Sequence, residues 1–299
     1  DQIMELLHSK YVDGQNSLSA SAINNYLTCP LKFYFENVEG IEQDDEVVEG
    51  VESNTFGTIF HNVLEQIYSK YKNEIVSEQI IKKERDDNRN IERLIGENFA
   101  KELNVKEIKG RNIIIKELLK KYISLTFDYD ISVAPFVYED GEKRVEYKLP
   151  IYGGTEGVNF KAFVDRVDKL CKGDLIRVID YKTGSINELP QGYAISGLFD
   201  GSIKKDCKVY IQLYLYALMM FDSKLVKGEA LGNIAMVVYL IKKMSDAKTL
   251  SVDLEADKLM EFKQELTKCV EEIFNKDVPF GKKAGDHCKW CPLNALCSR

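Results

Sequence analysis

Three residues near the middle of the chain have the types that metal-assisted hydrolysis uses. Asp165 ends the run Phe160-Lys-Ala-Phe-Val-Asp165, and Asp180 and Lys182 end Leu175-Ile-Arg-Val-Ile-Asp180-Tyr-Lys182, followed by Thr183-Gly184. Alternating apolar residues at Phe160, Ala162 and Val164, and again at Ile176 and Val178, predict two strands, and Lys172-Gly173-Asp174 predicts the turn that makes them a hairpin. Strand side chains alternate in direction, so Asp180 and Lys182 share a face while Tyr181 points away. Two carboxylates at one sheet edge repel unless a cation lies between them, and hard oxygen ligands suit Mg²⁺ or Mn²⁺. An ammonium beside such an ion stabilises an attacking hydroxide, or the charge that builds on a phosphate being cut. The competing reading is a surface hairpin with solvated ion pairs. The preceding Asp, the strand context and the Thr-Gly ending favour the metal reading.

Further candidates lie on predicted helices. Phe56 to Tyr71 has helical period, with Ile59, Phe60, Val63, Leu64 and Ile67 apolar. His61 and Glu65, four apart, project from one face, and an imidazole there suits a transition metal such as Mn²⁺, although a lone histidine on a helix is more often structural. Gly57, one turn earlier, permits close approach of another backbone. In the apolar helix from Tyr210 to Leu218, Gln212 and Tyr216 share a face, and Tyr216 is a candidate phosphate contact, with an ordinary buried polar pairing as the alternative.

The third constellation is sulfur. The chain ends with Cys288-x2-Cys291-x5-Cys297, and Cys29 stands far upstream before Pro30, where a break in the helix is expected to expose it. Three close thiols need a fourth ligand to close a tetrahedral or cubane site, and Cys29 is the choice. Spacing alone leaves Zn²⁺ and an iron-sulfur centre both open. Such a site ties the start of the domain to its end. Cys171, Cys207 and Cys269 are isolated and read as ordinary thiols.

The elements that must position these groups follow from the remaining pattern. At 299 residues, 44% apolar and 30% charged, the chain has the composition of a globular protein with a full core. No apolar run approaches a membrane span and no secretory leader pattern opens the chain, so a cytoplasmic location is expected. It starts at Asp1 rather than Met, which reads as a piece of something longer. Residues 1–16 read as a short helix and a linker, Ser19 as a helix N-cap, and 42–54 as a solvated acidic loop. Residues 76–132 read as a helical arm, and strands are expected near Val133 to Tyr138 and Lys143 to Ile151, joined by Glu139-Asp140-Gly141-Glu142. A long loop after Gly184 is placed to close over a substrate. Ile234 to Ile241 reads as a buried strand and Ala256 to Phe274 as an amphipathic helix. The expected fold is α/β, a mixed sheet flanked by helices. A net charge of −7 argues against a passive polyanion coat but not against local basic tracks. Two are candidates: Lys106, Lys109, Arg111, Lys116, Lys120 and Lys121, and Lys204, Lys205 and Lys208.

Taken in order, six stretches between Ser17 and Cys297 resemble the PD-(D/E)XK nuclease superfamily, in particular the RecB/AddB-type nuclease domains, with the CRISPR-associated iron-sulfur nucleases as cousins. They are Leu18-Ser-Ala-Ser21 with Cys29-Pro30, Gly57-Thr-Ile-Phe-His61, Phe163-Val-Asp-Arg-Val-Asp168, Ile179-Asp-Tyr-Lys-Thr-Gly184, Gln212-Leu-Tyr214, and the terminal cysteines. The resemblance implies a restriction-endonuclease-like core over 17–299. It also implies that His61, Asp165, Asp180 and the Tyr181 backbone carbonyl bind Mg²⁺ or Mn²⁺, that Lys182 positions the nucleophilic water, and that Gln212 supports the site. Cys29, Cys288, Cys291 and Cys297 are implied to hold a [4Fe-4S] cluster. It further implies hydrolysis of DNA on single strands or at ends, beside a helicase domain or subunit in recombination and repair. The long loop after Gly184 departs from the pattern. A catalytically silent DNA-binding scaffold, a CRISPR-associated nuclease and a zinc-stapled interaction module are the alternatives.

Overall fold

The computed structural model describes residues 2–41, 53–103, 107–173, 175–203, 205–222, 231–246, 248–252 and 254–297. The acidic stretch 42–52, Lys106, the turn residue Asp174 and Lys204 lie outside them. A six-stranded sheet runs in the order β1-β2-β3-β4-β5-β6: β1 (Glu74–Val76), β2 (Phe136–Ile151), β3 (Glu156–Leu170), β4 (Ile176–Lys182), β5 (Ile234–Leu240) and β6 (Thr249–Val252). The first four strands pair antiparallel, β5 joins β4 in parallel, and β6 returns antiparallel to β5. This is the mixed sheet that the alternation of β-branched and aromatic residues predicts.

Two strands expected on either side of Glu139-Asp140-Gly141-Glu142 are one. β2 pairs with β3 from Phe136↔Leu170 to Ile151↔Glu156 straight through the four residues, with a bulge at Glu139, where the register shifts between Tyr138 and Asp140. A bulge absorbs an extra residue and sharpens the local twist without ending the ladder. Gly141 is required just past it, because a Cβ would lie 2.2 Å from the Tyr138 hydroxyl oxygen. The β3–β4 ladder runs from Lys169↔Ile176 to Arg166↔Ile179, so one step further Asp165 and Asp180 stand opposite each other.

Each face of the sheet carries its own core. On one face lie α1 (Gln2–Tyr11), α2 (Ala20–Thr28), α9 (Lys208–Asp222) and α10 (Ala256–Ile273), packed on Val164, Val167, Val178 and Val238. The stretch 1–16, read as helix and linker, is therefore tied down: Leu7 and Tyr11 are buried, because the apolar side of α1 has the sheet's helical layer to cover. Leu18 then bridges to β3, donating to the Asn159 carbonyl and accepting from Lys161 N–H, and Ser19 caps α2 by accepting from Ala22 N–H.

The other face is covered by α4 (Ser53–Tyr68), α5 (Glu78–Asp86), α6 (Asn88–Leu103) and α7 (Arg111–Val133). Ile91, Ile95, Phe99, Ile123 and Phe127 share one core with Ile179, Tyr181 and Tyr239 of the sheet. The helices read as an arm thus form a layer of the fold, since their apolar sides meet β4 and β5. Their outward residues Ile113 and Leu118, counted as apolar positions of the arm, are exposed.

Proline at position 30 starts a helix rather than kinking one. Cys29 is extended at φ −162° and ψ 109°, ending α2 and opening α3 (Pro30–Phe33). Proline disfavours the helical region for the preceding residue and suits the first helical position. The expected exposure of Cys29 does not follow, because at 6% exposed it is buried. The loop after Gly184 also packs rather than standing clear. Ile195 and Leu198 are buried, the latter in the short α8 (Gly197–Asp200), and Leu189 N–H donates to the Tyr210 hydroxyl.

Candidate metal and catalytic site

Beyond the last β3–β4 pair, the backbone of Tyr181 is the hub around which the acidic and basic groups gather. The Asp165 carboxylate accepts from Tyr181 N–H at 2.7 Å. From α4, His61 Nε2 donates to the Tyr181 carbonyl at 3.0 Å, and its Nδ1 lies 3.4 Å from Asp165 Oδ1. Lys182 Nζ sits 3.0 Å from Asp180 Oδ1 and 2.9 Å from Oδ2. From α9, Gln212 Nε2 donates to Asp180 Oδ1 at 3.1 Å and to the Tyr216 hydroxyl at 2.5 Å. The structure thus brings His61, Asp165, Asp180, Lys182 and Gln212 together across four elements. Tyr216 is buried, with its hydroxyl on Gln212, so it meets the site through that amide. Gly57 is close to Thr183, whose hydroxyl a Cβ would meet at 3.4 Å, an ordinary contact with a side chain rather than with another backbone.

The electrostatics follow from burial. Asp180 is 2% exposed, and desolvation pushes its carboxyl up to about 6, with Lys182 opposing and Asp165 reinforcing. For Lys182 burial disfavours the ammonium, but Asp180 and Asp165 outweigh it and the net shift is upward. His61 behaves alike: burial opposes its charge, Asp165 and then Asp180 overcome that, and the imidazole is raised.

Two acidic residues outside the sequence motifs belong to this site. Ligand atoms of His61, Glu142 and Asp165 all lie within 4.8 Å of one another, the one such His, Cys, Asp or Glu group among the described residues. Glu142 lies three residues past the bulge, in the stretch that sequence assigned to a connecting turn. Glu65 is near enough for its charge to raise Glu142 further, after burial and Asp165. Helical spacing from His61 was its signal. A second set lies behind the hairpin on the opposite face. Arg166 bridges Asp130 and Asp168 at 2.7 Å each, Arg177 grips Asp168 at 2.8 and 2.7 Å, and all four residues are buried. Arg166 also donates to the Tyr181 hydroxyl at 3.2 Å, so this cluster anchors the side chain of the hub residue.

The donor set fits a divalent cation. A small hard ion holds oxygen and nitrogen ligands about 2.1 Å out, hence about 3.0 to 4.2 Å apart, comparable with the spacing here. Asp180 Oδ2 is buried, ion-paired with Lys182 at 2.9 Å but accepting no well-directed hydrogen bond among the described residues, so it keeps a lone pair that a cation would take.

The sulfur site and the tracks are also placed. Cys29, Cys288, Cys291 and Cys297 line one small pocket of about 20 Å³, with His287, Lys32 and Lys282 at its walls. Of the isolated thiols, Cys171 is exposed, Cys207 half-buried and Cys269 buried. Lys116 and Lys120 both pair with Glu92, and Lys109 with Glu107. That part of the helical track is neutralised within the fold, while Arg111 and Lys121 remain exposed. Lys205 donates to the Glu188 carbonyl and Lys208 lies 3.9 Å from Asp206.

No helix among the described residues is long and apolar enough to cross a membrane. Over 182 residues, 57% of this chain, the sequence is 23% identical to an uncharacterised protein of Rickettsia conorii. That stretch covers 19% of the Rickettsia protein, so the chain spans about a fifth of the curated relative it matches. The PD-(D/E)XK nuclease superfamily model matches residues 17–298, from the strand that bridges β3 to the last cysteine and across every group at the site. This chain belongs to the PD-(D/E)XK nuclease superfamily, whose members are metal-dependent nucleases.

Proposed function

We propose that this domain is a Mg²⁺- or Mn²⁺-dependent deoxyribonuclease of the RecB/AddB type, hydrolysing phosphodiesters on single strands or at DNA ends in the cytoplasm, beside a helicase in recombination and repair. The observation that carries the reading is the convergence of Asp165, Asp180, His61 and Lys182 on the Tyr181 backbone. His61, Asp165, Asp180 and the Tyr181 carbonyl would hold the ion, which when bound polarises a phosphoryl oxygen and lowers the pKa of water. With Nε2 on the Tyr181 carbonyl, Nδ1 beside Asp165 is the nitrogen His61 would offer, and it would have to be unprotonated. Lys182 is held as an ammonium by two carboxylates, so it orients the attacking water and meets developing negative charge rather than taking a proton. Gln212 fixes the Asp180 carboxylate from the side of α9.

The test is cleavage of plasmid and of single-stranded DNA with Mg²⁺ or Mn²⁺. Asp180→Ala and Lys182→Ala should each lower the rate by at least 100-fold, an effect of about 2.7 kcal/mol on the barrier. Undiminished cleavage by either variant defeats the reading, and a catalytically silent scaffold would show none in the parent.

The four-cysteine cavity supports an inorganic centre shared by both ends of the domain, and we read it as a [4Fe-4S] cluster. Zn²⁺ holds four sulfurs about 2.3 Å out, hence about 3.8 Å apart. Both centres take four thiolates, so metal content decides between them. Anaerobically purified protein should absorb near about 400 nm and carry iron. Colourless protein with stoichiometric zinc overturns this assignment.

A further inference from the structure

We propose that Glu142 is a ligand of the divalent cation, completing a row of three carboxylates laid across adjacent strands. This rests on the metal site proposed above. On β2 and β3 the pairs Gly141↔Arg166 and Lys143↔Val164 put Glu142 opposite Asp165. Asp165 in turn stands opposite Asp180 across the end of the β3–β4 ladder. Glu142, Asp165 and Asp180 therefore occupy one line, one from each of three neighbouring strands. Like charges directly opposite one another destabilise a sheet; Lys182 offsets the Asp180 end of the line, while the three carboxylates together still exceed that one ammonium.

Two observations beyond the row point to an ion. The His61 imidazole, a nitrogen ligand, enters from α4 with its ligand atom within 4.8 Å of those of Glu142 and Asp165. At the far end, the buried Asp180 Oδ2 has the Lys182 ammonium 2.9 Å away but accepts no well-directed hydrogen bond, which leaves a lone pair for a second cation. The backbone is set to present Glu142. It has φ +47°, in the left-handed region uncommon for a residue with a side chain, three residues past the bulge that redirects β2. Gly141 lets that segment approach α4, since a Cβ there would lie 3.3 Å from Glu65 Cγ as well as against Tyr138. Glu142 is exposed, so it is accessible from the solvent side, where a metal and its waters enter.

The experiment titrates Mn²⁺ into the DNA-free protein, reading the free ion by electron paramagnetic resonance. Parent, Glu142→Gln, Glu142→Ala and Asp165→Asn are compared, with far-UV circular dichroism confirming that each is folded. Both Glu142 variants should bind Mn²⁺ at least tenfold more weakly than the parent, with Asp165→Asn weaker still. If the Glu142 variants bind like the parent while Asp165→Asn does not, Glu142 is no ligand and the metal site stands without it. If the parent itself binds no Mn²⁺, this inference and the metal-dependent reading both fall.

Discussion

Asp180 is buried where desolvation disfavours its own charge. Its carboxyl is raised from 3.8 to about 6, so the folded chain binds a proton there more tightly than the unfolded chain does. Its contribution to stability is present below about pH 4 and is lost as the pH rises through about 6, amounting to about 3 kcal/mol. His61, also raised, adds in the same direction over a higher window, its share fading as the pH rises through its folded value. A cation that replaces both protons reverses the trend. Mn²⁺ should therefore raise the melting temperature little at pH 5 and by several degrees at pH 7.5, measured by scanning fluorimetry. An equal shift at both pH values would separate these groups from the ion. Lys182 needs no such relief, because its charge is already neutralised by Asp180 and Asp165.

At the scale of elements, the hairpin is held from behind by two buried arginines and two buried aspartates. Net charge within Arg166, Arg177, Asp130 and Asp168 is zero; Asp130 Oδ1 accepts from the Tyr239 hydroxyl at 2.8 Å, and Oδ2, which Arg166 holds, also accepts from the Tyr68 hydroxyl at 2.5 Å. Arg166 also lies over the rings of Tyr68 and Phe136 at 4.3 and 4.7 Å. Removing one partner leaves an uncompensated buried charge, which costs about 3–5 kcal/mol. Asp168→Asn should therefore lower unfolding stability by roughly that amount in urea, and a loss below about 1 kcal/mol would show that water relieves the cluster. Sequence made the hairpin and its motif visible, because strand alternation alone places Asp180 and Lys182 on one face. The network was invisible for a related reason. Arg166, Asp168 and Arg177 fall on the opposite face, where charged residues read as solvent-exposed until α7 covers them and supplies Asp130. Glu142 was missed because Glu-Asp-Gly-Glu has turn chemistry, and only the pairing with β3 reveals a bulge in a continuous strand.

Across the whole molecule the two ends meet at the cysteine cavity, far in sequence from the site. Phe280, just before the tail, stacks on Phe33 and Tyr34 of the segment that follows Cys29, and Leu31 N–H donates to the Gly281 carbonyl. Lys283 donates to the Leu27 carbonyl, so the ends are aligned even without a centre between them. A covalent or metal link at that point closes nearly the whole chain into one loop, and cross-links of such loops are worth about 4–5 kcal/mol on chain-entropy grounds. Cys29 is the buried member and comes from the opposite end of the chain, so its loss opens the loop while leaving three thiols together. Cys29→Ser should therefore lower the melting temperature and the bound iron together. Trp290, the single tryptophan, lies between Cys288 and Cys291 and is exposed, and an absorbing cluster beside it should quench its emission. In the parent that emission should rise when the cluster is chelated away, and in Cys29→Ser it should already be high. Dim tryptophan in a variant that has lost its iron would place the quencher elsewhere and break the link between the clasp and the metal.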